Sequence, residues 1–188
     1  LECSDSFLHK NESFKNREIE KFFNQEVRPV LGALEGQVFG GNDFGRSGDL
    51  TTYWFAEEVS KTQLAVRLIV EIKNAPFEQQ QLFNDYVTDL LSERKKFGGL
   101  AIDSRGNGQQ IGEHAMLRHP GASIQVMETN AWYAKYGTDL HGLMESGDFT
   151  VPDDETIKAD FALVVLKNGI PTIPAVRPSD RDQKGKRH

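Results

Sequence analysis

The chain has 188 residues, 38% of them hydrophobic and 27% charged, with a formal net charge of -6. That is enough for one domain with a real core and too little for two of ordinary size, and no apolar run approaches the roughly 20 residues of a membrane span, so no membrane role is expected. The negative charge argues against a domain that holds nucleic acid by bulk electrostatics alone, but not against an enzyme whose metal ion supplies positive charge that the formal count omits.

Residues 12–34, ESFKNREIEKFFNQEVRPVLGAL, space Phe14, Phe22, Val27 and Val30 near the helical period and predict an amphipathic helix bent or ended around Pro29. Residues 36–48 hold five glycines; Gln37–Phe39 reads as a short strand and the remainder as turns and close backbone approach. No Gly-Lys-Ser/Thr ending opens a helix there, which sets aside a phosphate-cradling loop. DLTTYWFAEE, beginning at Asp49, and QLAVRLIVEIK, ending at Lys73, are β-rich and flank a polar turn, so they read as a hairpin or meander.

From Ala75 onward, Phe77, Leu82, Phe83, Tyr86, Val87, Leu90 and Leu91 share one broad face, with Pro76 as a start signal and Gly98-Gly99 as a stop, which predicts a helix over 75–97. GLAID and ASIQVME read as strands joined through the loop-like SRGNGQQIG and HAMLRHPG. Residues 130–146 suggest a second, interrupted helix, and DFALVVLKNG a late strand. The order is that of a mixed α/β (α+β) domain, a central mixed β-sheet flanked by helices, over residues 1–178, with a basic, flexible tail over 179–188.

The single cysteine, Cys3, excludes an internal disulfide framework and a cysteine-based zinc site, and suits a reducing compartment. The opening LECSDSF lacks the basic-then-apolar pattern of a signal peptide, and an intracellular location, cytoplasmic or nuclear, is expected. No Ser-centred nucleophile elbow is present. His114 and His119 are five apart, a poor match to a helical metal pair, and with His141 they read as loop, surface or satisfied core histidines.

Chemistry concentrates in LIVEIKN, residues 68–74, an apolar strand in which Glu71 and Lys73 fall on one side. A hairpin brings the start of the preceding strand, at Asp49, to the end of this one. Two converging carboxylates repel, and a divalent cation with oxygen ligands relieves the repulsion; Mg²⁺ needs only one or two of them, water and substrate phosphate supplying the rest. The plainer alternatives are an exposed Glu71–Lys73 ion pair and an Asp49 that caps a turn.

SGDL at 47–50 followed by VEIK at 70–73 and a helix resembles the PD-(D/E)xK nuclease superfamily, over about the first half of the chain. The resemblance implies a restriction-endonuclease-like core and a hydrolase that cuts phosphodiester bonds of DNA or RNA with metal-activated water. It implies Mg²⁺ or Mn²⁺ held by Asp49, Glu71 and the carbonyl of Ile72, Lys73 assisting the water, Glu18 or Glu20 as a further acid, and Gln81 as a partner from the helix. Three departures stand out: no proline precedes Asp49, Tyr86 follows Gln81 by five residues rather than four, and Asp43 in GGNDFG competes with Asp49 for the ligand role. The implied partner is nucleic acid, with a homodimer or a place in a larger protein both compatible. The alternative is a catalytically inactive nuclease-like fold serving as a nucleic-acid-binding or protein-interaction module.

Overall fold

A computed structural model describes residues 6–9, 16–45, 50–73, 75–106 and 108–173; Cys3 and the basic tail over 179–188 lie outside the described residues. At its centre are β3 (Leu50–Glu58) and β4 (Leu64–Lys73), antiparallel, with Leu50 opposite Lys73 and Thr52 opposite Glu71. The expected hairpin is present. Alternation, interrupted by a register shift between Phe55 and Ala56, decides its two faces: Tyr53, Phe55, Leu68, Val70 and Ile72 enter one apolar cluster, while Trp54, Ala56, Val66 and Ile69 enter another on the opposite side.

β2 (Val38–Asp43) pairs antiparallel with β3 and parallel with β5 (Phe97–Asp103), and β5 pairs parallel with β6 (Ser123–Val126). On the far side β1 (Ser6–His9) lies parallel to β4, and the two-residue β7 (Phe149–Thr150) pairs with the start of β4. The mixed sheet therefore runs β1-β4-β3-β2-β5-β6. The glycine-rich stretch is a longer strand than expected, continuing through Asp43, because glycine there serves packing: a Cβ on Gly40 would stand 2.7 Å from Leu100 Cδ1 and 3.2 Å from the Phe55 ring.

The first face is covered by α1 (Asn16–Phe22), α2 (Arg28–Ala33) and α3 (Phe77–Glu93). A π-helical turn, Phe23–Val27, joins α1 to α2 and precedes Pro29 in the first turn of α2, so the proline bends the path without ending it. Phe83 of α3 is fully buried, with ring centroids 4.7 Å from Tyr53 and 6.2 Å from Phe22. Burying such a side chain is worth about 1.5–3 kcal/mol. α3 ends at Glu93, short of the glycines, because Lys95 takes the left-handed backbone (φ 58°); Gly98 and Gly99 belong to β5, and a Cβ on Gly98 would meet the Phe39 ring at 2.8 Å.

The segment read as a loop between the last two strands of the sheet is a helix, α4 (Gly108–Arg118). Its glycines hide it from propensity, yet Ile111 and Ala115 bury against Leu100 and Ile102, and tertiary packing overrides the local preference. After β6 come α5 (Asn130–Trp132), a π-helical turn (Tyr133–Gly137) and α6 (Thr138–Glu145), the interrupted helix expected over 130–146.

α7 (Glu155–Phe161) covers part of the second face: Ile157 is buried beside Val66 and Ile69, and the Phe161 ring meets Trp54 edge-on at 6.2 Å. Asp154 caps it, accepting from the backbone N–H of Thr156 at 2.8 Å and of Ile157 at 3.1 Å. The late strand is therefore shorter than expected. Asp160 and Phe161 finish the helix, and among the described residues β8 (Val165–Lys167) pairs only with β9 (Ile170–Thr172), outside the main sheet.

Candidate metal and nucleic-acid site

Two of the strands that run parallel end in an aspartate. Asp43 is the last residue of β2 and Asp103 the last of β5, and the register Asn42 opposite Ile102 puts them on the next rung together. Adjacent strands lie about 4.8 Å apart, so the two backbones deliver their carboxylates side by side. Asn42, Leu100 and Ile102 face the helical side, and alternation turns Asp43 and Asp103 to the other. This is also where the connections of the sheet diverge, β2 leading to β3 on one side and pairing with β5 on the other. Open sheets bind ligands outside the carboxyl ends of their strands at such a point.

The ends of both strands are fixed. After β2, Phe44 packs edge-on against Phe77 at 5.7 Å, and the backbone N–H of Gly45 donates to Thr51 Oγ1 at 3.0 Å. After β5, a Cβ on Gly108 would stand 2.1 Å from the Asp103 carbonyl oxygen, so only glycine lets α4 start this close. Asp43 is exposed, whereas Asp103 is buried and takes a forked ion pair from Arg105, whose Nη2 lies 2.8 Å from Asp103 Oδ2. The same Nη2 lies 2.8 Å from Glu128 Oε2, and the Tyr133 hydroxyl donates to that oxygen at 2.8 Å. Arg105 is raised above its already high pKa chiefly by its hydrogen bond to Asp103. Burial and Glu128 push the Tyr133 hydroxyl up to about 12, which keeps it a donor.

Glu71 is 4% exposed and faces the same side as Asp43, two strands away across Thr52. Two strand spacings amount to about 10 Å of backbone separation. Lys73 closes β4 opposite Leu50, while Asp49, which precedes Leu50 in the chain, lies outside the described residues. Ile72 is buried in the core of the opposite face. Gln81 is half-buried, and the glutamine that meets the sheet is its neighbour Gln80, which accepts from Thr51 Oγ1 at 2.6 Å and donates to the Ala75 carbonyl at 3.0 Å. Glu18 and Glu20 both belong to α1, on the helical side of the sheet, and Glu20 is exposed.

The sequence offers Asp43 only as a competitor to Asp49 and does not single out Asp103. The available signal was a strand ending in Asp at both GGND and GLAID, each followed by a glycine-bearing turn. The two carboxylates offer the oxygen atoms a hard cation takes; among the described residues they are not part of a group of three or more His, Cys, Asp or Glu that could hold a metal ion.

No family model matches the chain. Over its whole length it is 30% identical to the Mu-like prophage FluMu protein gp28 of Haemophilus influenzae and 29% identical to the probable terminase, large subunit gp28, of Escherichia phage Mu. It spans only 37% and 34% of those proteins. Its fold matches the large terminase nuclease of the thermophilic phage G20c. With magnesium bound, that structure gives a TM-score of 0.56 at 19% identity over 76% of this chain and 74% of the other; with cobalt, 0.56 at 19% over 78% and 76%. The chain thus has the mixed α/β architecture of terminase nuclease domains.

Proposed function

We propose that the chain is the nuclease part of a terminase-like large subunit, a hydrolase that cuts phosphodiester bonds of DNA with the help of a divalent cation. The observation that carries this reading is the placement of Asp43 and Asp103 on neighbouring strand ends, on a fold shared with nucleases. The likeness to a probable terminase large subunit points to DNA as the substrate and to a larger assembly as the setting.

Asp43 and Asp103 would hold the cation, Mg²⁺ or Mn²⁺. When bound, it would supply an activated water and offset charge on the phosphate. Arg105 orients the Asp103 carboxylate through two nitrogens. Glu128 and Tyr133 hold Arg105 in turn.

A second ligand set, Asp49 with Glu71 and assisted by Lys73 in the PD-(D/E)xK manner, is favoured by the register that places Leu50 opposite Lys73. Calorimetric Mn²⁺ titration decides between the sets. Asp43→Asn and Asp103→Asn are expected to lose Mn²⁺ binding and metal-dependent cleavage of DNA, with the fold intact by circular dichroism. Loss confined to Asp49→Asn and Glu71→Gln would transfer the site to the second set. Full Mn²⁺ affinity in all four variants, with no cleavage by the wild type, would leave the inactive binding module.

A further inference from the structure

We infer that the π-helical segment after β6 is a stacking platform for unpaired bases of the nucleic-acid strand, set beside the Asp43–Asp103 pair. This rests on the nuclease reading above and adds a binding site to it. Trp132 meets Tyr133 edge-on at 5.2 Å between centroids and Tyr136 at 5.5 Å and 45°, so three aromatic rings cluster within one helical turn. Tyr136 is 47% exposed, and none of the three rings is buried. Lys135, also exposed, holds its Nζ 4.6 Å from the centre of the Tyr136 ring, placing a cation beside the aromatic surface. Exposed rings interleaved with a cation are the means by which proteins hold single strands without reading sequence: bases stack, and the cation meets phosphate.

Position supports this occupant. β2, β5 and β6 are successive neighbours in the sheet and point the same way, so the segment that leaves β6 emerges on the same edge as Asp43 and Asp103. A direct chain of contacts ties the two: Tyr133 to Glu128, Glu128 to Arg105, Arg105 to Asp103. The platform is also braced. Thr129 caps α5 by accepting from Trp132 N–H at 3.2 Å, and the Gly137 position abuts Pro171 of β9, where an added Cβ would stand 3.4 Å from the proline. A strand whose phosphate lies at the carboxylates would carry its adjacent bases across these rings.

The test is fluorescence anisotropy with a labelled oligothymidylate in EDTA, so that cleavage plays no part. Trp132→Ala and Tyr136→Ala are each expected to weaken binding by about tenfold, the effect of losing one stacked base, while Trp132→Phe keeps most of it. Mn²⁺ affinity should be unchanged in all three. Binding within about twofold of wild type in both alanine variants would overturn the platform, as would a wild type that does not bind the oligonucleotide. If Trp132→Ala fails to fold, Tyr136→Ala, at the most exposed of the three rings, decides the matter by the same threshold. Intact stacking with absent metal binding would instead count against the carboxylate assignment alone.

Discussion

Replacing Glu57 by Gln probes how the sheet is tied to the helices at the end remote from the carboxylate pair. Glu57 is 6% exposed. Its Oε1 accepts from the backbone N–H of Glu35 at 2.8 Å and of Gly36 at 2.9 Å, and its Oε2 accepts from Arg67 Nε at 2.9 Å. A glutamine keeps its carbonyl oxygen toward the two N–H groups but turns an amide N–H₂ against the Arg67 donor. The loss is one charge-assisted hydrogen bond, about 1.5–3 kcal/mol, moderated because the Arg67 side chain is 20% exposed and keeps some water. For a chain of this size that is a fall of about 5–10 °C in melting temperature.

The same carboxyl gives a pH signature. Burial alone would raise its pKa, but the Gly36 and Glu35 amides and Arg67 outweigh it and leave the group below the ordinary glutamate value. Its contribution is therefore complete above the pKa it has in the unfolded chain, and is lost as pH falls through its lower folded value. Denaturant melts of wild type and Glu57→Gln from neutral to acid pH should converge at the acid end. A Glu57→Gln protein as stable as wild type at pH 7, or a difference that does not shrink on acidification, would refute the argument.

Asp154→Ala removes the cap of α7 and should cost about 1 kcal/mol; the loss should appear as a lower midpoint in urea with an unchanged slope. Gly108→Ala puts a methyl group 2.1 Å from the Asp103 carbonyl, so the turn between β5 and α4 must move. A destabilisation of about 1–3 kcal/mol is expected, together with weaker Mn²⁺ binding by calorimetry.

The hairpin and the long helix were readable because their signals are local. The β-rich runs TTYWFAEE and LAVRLIV, and the wide apolar face from Phe77 to Leu91, each sit within one element. α4 was not readable, since Gly108 and Gly112 look like loop residues until the strands they touch are in place; a Cβ on Gly112 would meet Ser104 Oγ at 2.6 Å. The site divided the same way. Glu71 and Lys73 drew notice because charges interrupt an apolar run, whereas Asp103 ends its strand as many loop-bound aspartates do. Its pairing with Asp43 is a property of the parallel register between β2 and β5, which no periodicity within either strand records.

That register has a kinetic consequence. β2, β3 and β4 pair with their immediate neighbours in the chain, and such contacts close quickly because the intervening loops are short. β5 must instead travel back past two strands and α3 to find the free edge of β2, a non-local closure of the kind that slows folding. Asp43 and Asp103 consequently become neighbours only when this late pairing is made. A chain arrested with its meander and α3 formed would bury Tyr53, Phe83 and Val70 and still hold a single aspartate at the end of β2. On the proposed reading, competence to gather a cation would thus arrive with a long-range step of folding, and a chain that has not made it would lack the Asp43–Asp103 pair.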